Sequence, residues 1–180
     1  MKRTMVSNHW IDYLYIFMVG AFIGWSYEVI LHLFQDGVFV NRGMLHGPWL
    51  PIYGIGCVLM VTLKQWMEPR PLQYFLICVV VSGVLEYITS WAMEMVYHTR
   101  WWDYSSYLFN VNGRIFLGGL LGFGTAGCLF IYVLLPCLEK IYRRLPPQML
   151  KYLAIFIGVI FLVDAGLSTL FPNMGVGITK

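Results

Sequence analysis

Charged side chains are scarce in this chain. Its 180 residues include 12 Lys and Arg and 9 Asp and Glu, 12% charged in all, against roughly 25% in soluble domains. Hydrophobic residues make up 59%, more apolar surface than a soluble core absorbs, so the composition is that of a bilayer protein. A net charge of +3 is too small to point to a nucleic-acid partner. Cysteine is sparse as well. Cys57, Cys78, Cys128 and Cys137 all fall inside apolar runs, and no C-x-x-C occurs. Neither a disulfide framework nor a zinc site is expected, and the four read as packing residues. The chain lacks G-x-S-x-G, H-E-x-x-H and any Ser-His-Asp spacing, which removes the usual routes to nucleophilic or metal catalysis. It also lacks G-x-x-x-x-G-K-[ST], so it cannot by itself hydrolyse ATP through a P-loop. No cofactor is expected, and there is no internal repeat.

What is present is a series of apolar runs. The expected fold is all-α, a polytopic transmembrane helix bundle forming a single domain over 1–180. Its spans lie at about 10–34, 50–66, 72–97, 115–138 and 150–171. The first run, about 25 residues without an A-x-A site, is too long for a signal-peptide core and reads as a span. Gly20 and Gly24 form a small-xxx-small pair, and Gly118, Gly122 and Ala126 share four-residue spacing; both patterns predict close helix packing. Between the first two spans, Gly43, Gly47, Pro48, Pro51, Gly54 and Gly56 make a regular helix start improbable before Tyr53. A re-entrant or broken segment is expected there, which membranes tolerate only where the backbone is buried in protein or lines a cavity. With five spans, eight of the twelve Lys and Arg fall on the N-terminal side. The positive-inside rule then predicts a cytoplasmic N-terminus and an extracytoplasmic C-terminus.

Residues 100–114 do not look like a plain polar linker. Trp101, Trp102, Tyr104, Tyr107 and Phe109 alternate with Arg100, Asp103, Asn110, Asn112 and Arg114. Such a mixture serves either as an interfacial aromatic anchor or as a folded lid over an intramembrane site. Four carboxylates, Glu28, Glu86, Glu94 and Asp164, fall inside the apolar runs with no Lys or Arg at comparable depth. An intramembrane carboxylate costs at least about 2.5–3.5 kcal/mol and needs a partner. Two readings follow: outer-loop arginines reach down to pair with them, or they line a polar cavity for a cation, a proton or a polar substrate.

The FVNRG-x-L-x-GP-x-x-PIYG segment, VLEYITS around Glu86, and RWWDYS-x-x-x-FNVNGRI together resemble the putative type IV ABC-transporter permease family. The resemblance covers about residues 20–136. It implies a small bacterial inner-membrane permease whose ATPase is a separate subunit. The matching polar positions are Glu28, Asn41, Arg42, His46, Glu86 and Glu94, with Asp103, Asn110, Asn112 and Arg114 in the lid. With Trp102 from the lid these form the candidate cavity.

The leading expectation is a transport component that binds a small polar or cationic solute in an outward-facing acidic cavity. Five short spans make a narrow pathway, so a homo-oligomer or partner subunit is expected in the lipid bilayer. The alternatives are a membrane-embedded enzyme acting on a lipid-linked substrate at the outer leaflet, and a non-catalytic assembly factor. The topology is directly testable in a variant without native cysteines. Cysteines placed at Ser105 and Ser106 are expected to react with a membrane-impermeant thiol reagent in intact cells, and one at Gln148 only after permeabilisation. The reverse pattern would invert the orientation.

Overall fold

The structure, a computed structural model, describes residues 10–67, 70–175 and 177–179. It is mostly helical. Helix α1 spans Trp10–Asp36, α2 Pro51–Met67 and α3 Pro71–Tyr97. Helix α4 (Leu117–Leu129) passes through a π-helical turn, Phe130–Leu134, into α5 (Leu135–Tyr142), and α6 covers Pro147–Leu170. Four stretches are long and apolar enough to cross a membrane: α1, α3, the continuous Leu117–Tyr142, and α6. Helix α2 has 17 residues, about 26 Å at 1.5 Å per residue, shorter than a hydrocarbon core of about 30 Å.

Helix boundaries follow local chemistry. Pro71 and Pro147 open α3 and α6 at a position where a missing N–H costs nothing. The Arg70 N–H donates to the Gln73 side chain at 3.0 Å. His98 ends α3 in the left-handed conformation, its N–H returning to the Glu94 carbonyl at 2.9 Å. The π turn directly precedes Pro136, which cannot donate to the helix; the Leu135 N–H bonds Phe130, five residues back.

Helices α1 and α2 pack closely through glycine. A Cβ on Gly24 would overlap the Tyr53 ring, and one on Gly20 would sit 2.7 Å from Cys57 Sγ. The close-packing pattern expected in α4 lies elsewhere. Nothing approaches Gly122 within 4 Å, and Gly118 meets only Phe116. The close contacts are instead at Gly124, against Phe75 and Val79, and at Gly127, against Cys78 and Met60. Four-residue spacing marks a helix face but not which face meets a neighbour.

Segment 37–50 is irregular and folds back along α1. The Leu50 N–H donates to the Ala21 carbonyl at 3.0 Å. Ala21 lies 15 residues before the end of α1, so the chain returns roughly 22 Å along that helix. Helix α2 therefore starts halfway along α1. This segment, loop 98–116 and the tail after α6 meet at one end of the bundle. Arg42 donates to the carbonyls of Trp101 and Gly177, and Asn173 N–H to Met44. The fully buried apolar core, with Ile16, Val61, Tyr74, Cys78, Ile131 and Leu150, occupies the opposite half.

The sequence reading missed one element. Strands β1 (Asn110–Val111) and β2 (Ile115–Phe116) form an antiparallel hairpin at the lid tip. Asn112 and Gly113 both take positive φ, and the Arg114 N–H closes the turn on Val111 at 3.0 Å. Asn-Gly is the strongest short-range hairpin signal a sequence carries, so the all-α expectation holds for the bundle but not for this tip.

Segment 37–50 has little room for added atoms at Gly43 and Gly47. A Cβ on Gly47 would overlap the Trp49 ring, whereas one on Gly158 would make ordinary contact with Leu14 at 3.5 Å. Gly47→Val is expected to cost about 1–3 kcal/mol as an overpacked substitution, with Gly158→Ala within about 0.5 kcal/mol, read by thermal unfolding of the purified variants. Equal tolerance would make 37–50 an ordinary flexible loop.

Candidate functional site

The four intramembrane carboxylates each have a different environment, and the candidate residues divide into three groups. The first group holds segment 37–50 in place. The Asp164 carboxylate on α6 accepts from Gly47 N–H at 2.9 Å, His46 N–H at 3.3 Å, Trp49 Nε1 at 2.7 Å and Ser168 Oγ at 3.3 Å. The two backbone donors, at His46 and Gly47, lie outside any helix, so the carboxylate takes the place of the missing ladder for them. His46 itself faces Ser168 Oγ through Nδ1 at 3.0 Å, and its side chain is about half exposed. That makes it part of the clamp.

The second group closes the lid. Arg100 Nε donates to Glu94 at 3.0 Å, and Arg114 forms an ion pair with the same oxygen. Arg114 is buried and also donates to Ser90 Oγ at 3.0 Å. Asp103 accepts from the Ser105 N–H at 2.9 Å and lies 3.7 Å from Arg100. Trp102 Nε1 donates to the Arg114 carbonyl at 3.0 Å. Asn110 braces the hairpin turn through Tyr107 and Gly113, and Asn112 donates to the Tyr87 hydroxyl at 2.9 Å. For Glu94 the reading of arginines reaching down to pair is therefore correct.

The third group is the candidate site. Tyr53 donates its phenol proton to Glu28 at 2.6 Å, and Arg42 Nε lies 4.0 Å from the other Glu28 oxygen. Arg42 is fixed by Gly177 at 2.6 Å, Ile178 at 3.2 Å and Trp101 at 3.3 Å. Asn41 accepts from Trp25 Nε1 at 2.6 Å and donates to the His46 carbonyl at 2.8 Å. Across from them Glu86 is 5% exposed, and Tyr104 of the lid lies close enough to interact with it electrostatically. Glu28 is near enough to act on Glu86 electrostatically. Burial drives the Tyr104 phenol well above its ordinary pKa, reinforced by the charges of Glu86 and Glu28 and opposed by Arg42. It therefore remains a hydrogen-bond donor across the physiological range. Among the described residues Glu86 has no ion pair, and its Oε2 has no hydrogen-bond partner.

The structure thus brings Glu28, Asn41, Arg42 and Glu86 into one layer. Glu94, Trp102, Asp103, Asn110, Asn112 and Arg114 lie in the lid lock, and His46 in the clamp. Two grooves on the molecule are apolar. One, about 350 Å³, runs between α1 and α6 past Leu14 and Gly158; the other, about 430 Å³, runs between α3 and α4 past Gly83 and Leu120. The sequence reading missed Tyr53, Tyr104 and Trp25 as site residues. Their signal is polar-tipped aromatics beside a carboxylate in an apolar setting, where a buried O–H or N–H must find a partner.

Asp164→Ala would leave three N–H donors without their acceptor. At about 1–3 kcal/mol for each unsatisfied buried group, the loss is expected to exceed about 3 kcal/mol or to prevent folding, with Asp164→Asn milder because one oxygen remains. Hydrogen exchange is expected to reach the amides of His46, Gly47 and Trp49 first.

Residues 15–169 match a family model described as putative ABC-transporter type IV, which is 155 of the 180 residues. No curated protein and no solved structure matches the chain.

Proposed function

The chain belongs to the putative type IV ABC-transporter family, and from that premise we propose that it is the membrane-embedded permease component of a transporter. Its ATPase is a separate subunit, in keeping with the absence of a P-loop in this sequence. The solute is small and polar or cationic, and it binds in the layer of Glu28, Tyr53, Glu86, Tyr104 and Arg42. One observation carries this reading: Glu86 is buried and, among the described residues, has no arginine or lysine partner and leaves one oxygen without a donor. A permanent structural carboxylate would be paired, as Glu94 is. An unpaired one has room for a passing partner.

In this account the protein is a single transmembrane domain of the bacterial inner membrane with its N-terminus in the cytoplasm. Helix α2 and the irregular segment before it together make the fifth crossing. Three features support that reading: the return of 37–50 along α1, the meeting of both aromatic loops with the tail at one end, and the basic residues biased to the other. The site opens outward when the lid lifts Tyr104 from Glu86. A narrow bundle of this size works as an oligomer or with its partner subunit.

The test uses the complex purified from native membranes in mild detergent. A subunit that hydrolyses ATP is expected to accompany the chain. Glu86→Gln is expected to keep that association and to melt within about 3 °C of the wild type, while ATP-dependent transport into vesicles is lost. A stable Glu86→Gln variant with full transport would overturn the assignment of the site.

A further inference from the structure

Hydrogen-bonding capacity in the polar layer is one-sided. Glu28 and Glu86 contribute only acceptors when ionised. Tyr53 commits its single O–H to Glu28, which leaves its oxygen as an acceptor too, and Tyr104 lies within electrostatic reach of both carboxylates. Arg42 uses its two terminal nitrogens on the carbonyls of Gly177, Ile178 and Trp101, and its Nε faces Glu28. Four buried side-chain atoms among the described residues lack partners, and two of them, Glu86 Oε2 and Arg42 Nε, belong to this layer. Arg42 Nε needs only a small rotation to meet Glu28. Glu86 Oε2 has no such neighbour. Arg42 Nε and His32 Nε2 each lie 4.0 Å from Glu28, whereas no cationic group among the described residues pairs with Glu86.

A guest that completes this layer must bring hydrogen-bond donors and a single positive charge. We propose that it is a primary organic ammonium ion, a small amine carried in its protonated form. This rests on the transport reading above and names its substrate class. An ammonium group has three donors, which match Glu86 Oε2 and the free lone pairs of the two phenols. The rings around it suit the carbon portion and attract the charge: Phe123 packs against Tyr53 at 5.7 Å between centroids, and Phe116 against Tyr104 at 4.7 Å. A divalent metal fits poorly. Magnesium and calcium require about six or more oxygen ligands, and no group of three or more His, Cys, Asp or Glu that could hold a metal occurs among the described residues.

The experiment follows thermal unfolding of the purified full chain in lipid discs at constant ionic strength. Ethylammonium, tetramethylammonium, potassium and magnesium are compared as chlorides. Ethylammonium is expected to raise the melting temperature by several degrees, and tetramethylammonium, which has no N–H, to do so far less. Potassium and magnesium are expected to have no specific effect. Glu86→Gln is expected to weaken ethylammonium binding at least tenfold, and Thr125→Val, on the exposed side of α4, to leave it unchanged. Potassium or magnesium matching ethylammonium would overturn the ammonium assignment and make this an inorganic-cation site, with the transport reading intact. Tetramethylammonium matching ethylammonium, or an ethylammonium effect that survives Glu86→Gln, would also overturn it. No response to any cation would do the same if Glu86→Gln still abolishes transport, and would sink both readings if Glu86→Gln transports normally.

Discussion

The polar half of this molecule depends on backbone that has no helix to satisfy it. Segment 37–50 returns along α1, and its N–H groups have no helical ladder to supply their acceptors. Asp164 supplies them to His46 and Gly47, with Trp49 added through its indole. The Ala21 carbonyl takes Leu50, and Asn173 binds the carbonyls of Asn41 and Gly43. Once the segment is fixed, Asn41 and Arg42 have one place to go, and α2 begins at the depth where Tyr53 meets Glu28. The site follows from satisfying an irregular backbone.

The three outer carboxylates with partners make Glu86 informative by contrast. Glu94 is held by two arginines, Asp164 by four donors, and Glu28 by a phenol with a guanidinium nearby. Glu86, by contrast, has no ion pair among the described residues and an Oε2 without a hydrogen-bond partner, with Tyr104 of the lid beside it. Moving the lid therefore changes the environment of one carboxylate more than any other. In the permease role proposed here, such a switch would serve to expose the site alternately.

Much of the bundle was legible in the sequence because the apolar runs are long and bounded by proline and charge. Pro71 and Pro147 mark helix starts that the structure reproduces within a few residues. Gly20 and Gly24 announced the α1–α2 approach, but the α4 spacing pointed to the wrong face, because periodicity carries no information about where a neighbour stands. The partners of the carboxylates were only half legible. Arginine in the lid drew attention as the natural counter-charge, and it does pair with Glu94. Tyr53 and Tyr104 were hidden among 12 tyrosines, since a phenol becomes a site residue only through what the fold sets against it. Asn112-Gly113 was readable as a hairpin turn and was masked by the surrounding aromatics.

The central claim is that the fold leaves a buried carboxylate oxygen open to a guest. An experimental map of the protein in a lipid disc, with and without a bound amine, tests this most directly. The account predicts Tyr104 on one Glu86 oxygen and, with the amine present, new density about 3 Å from the other. An arginine or lysine side chain seated on that oxygen in both maps would contradict it.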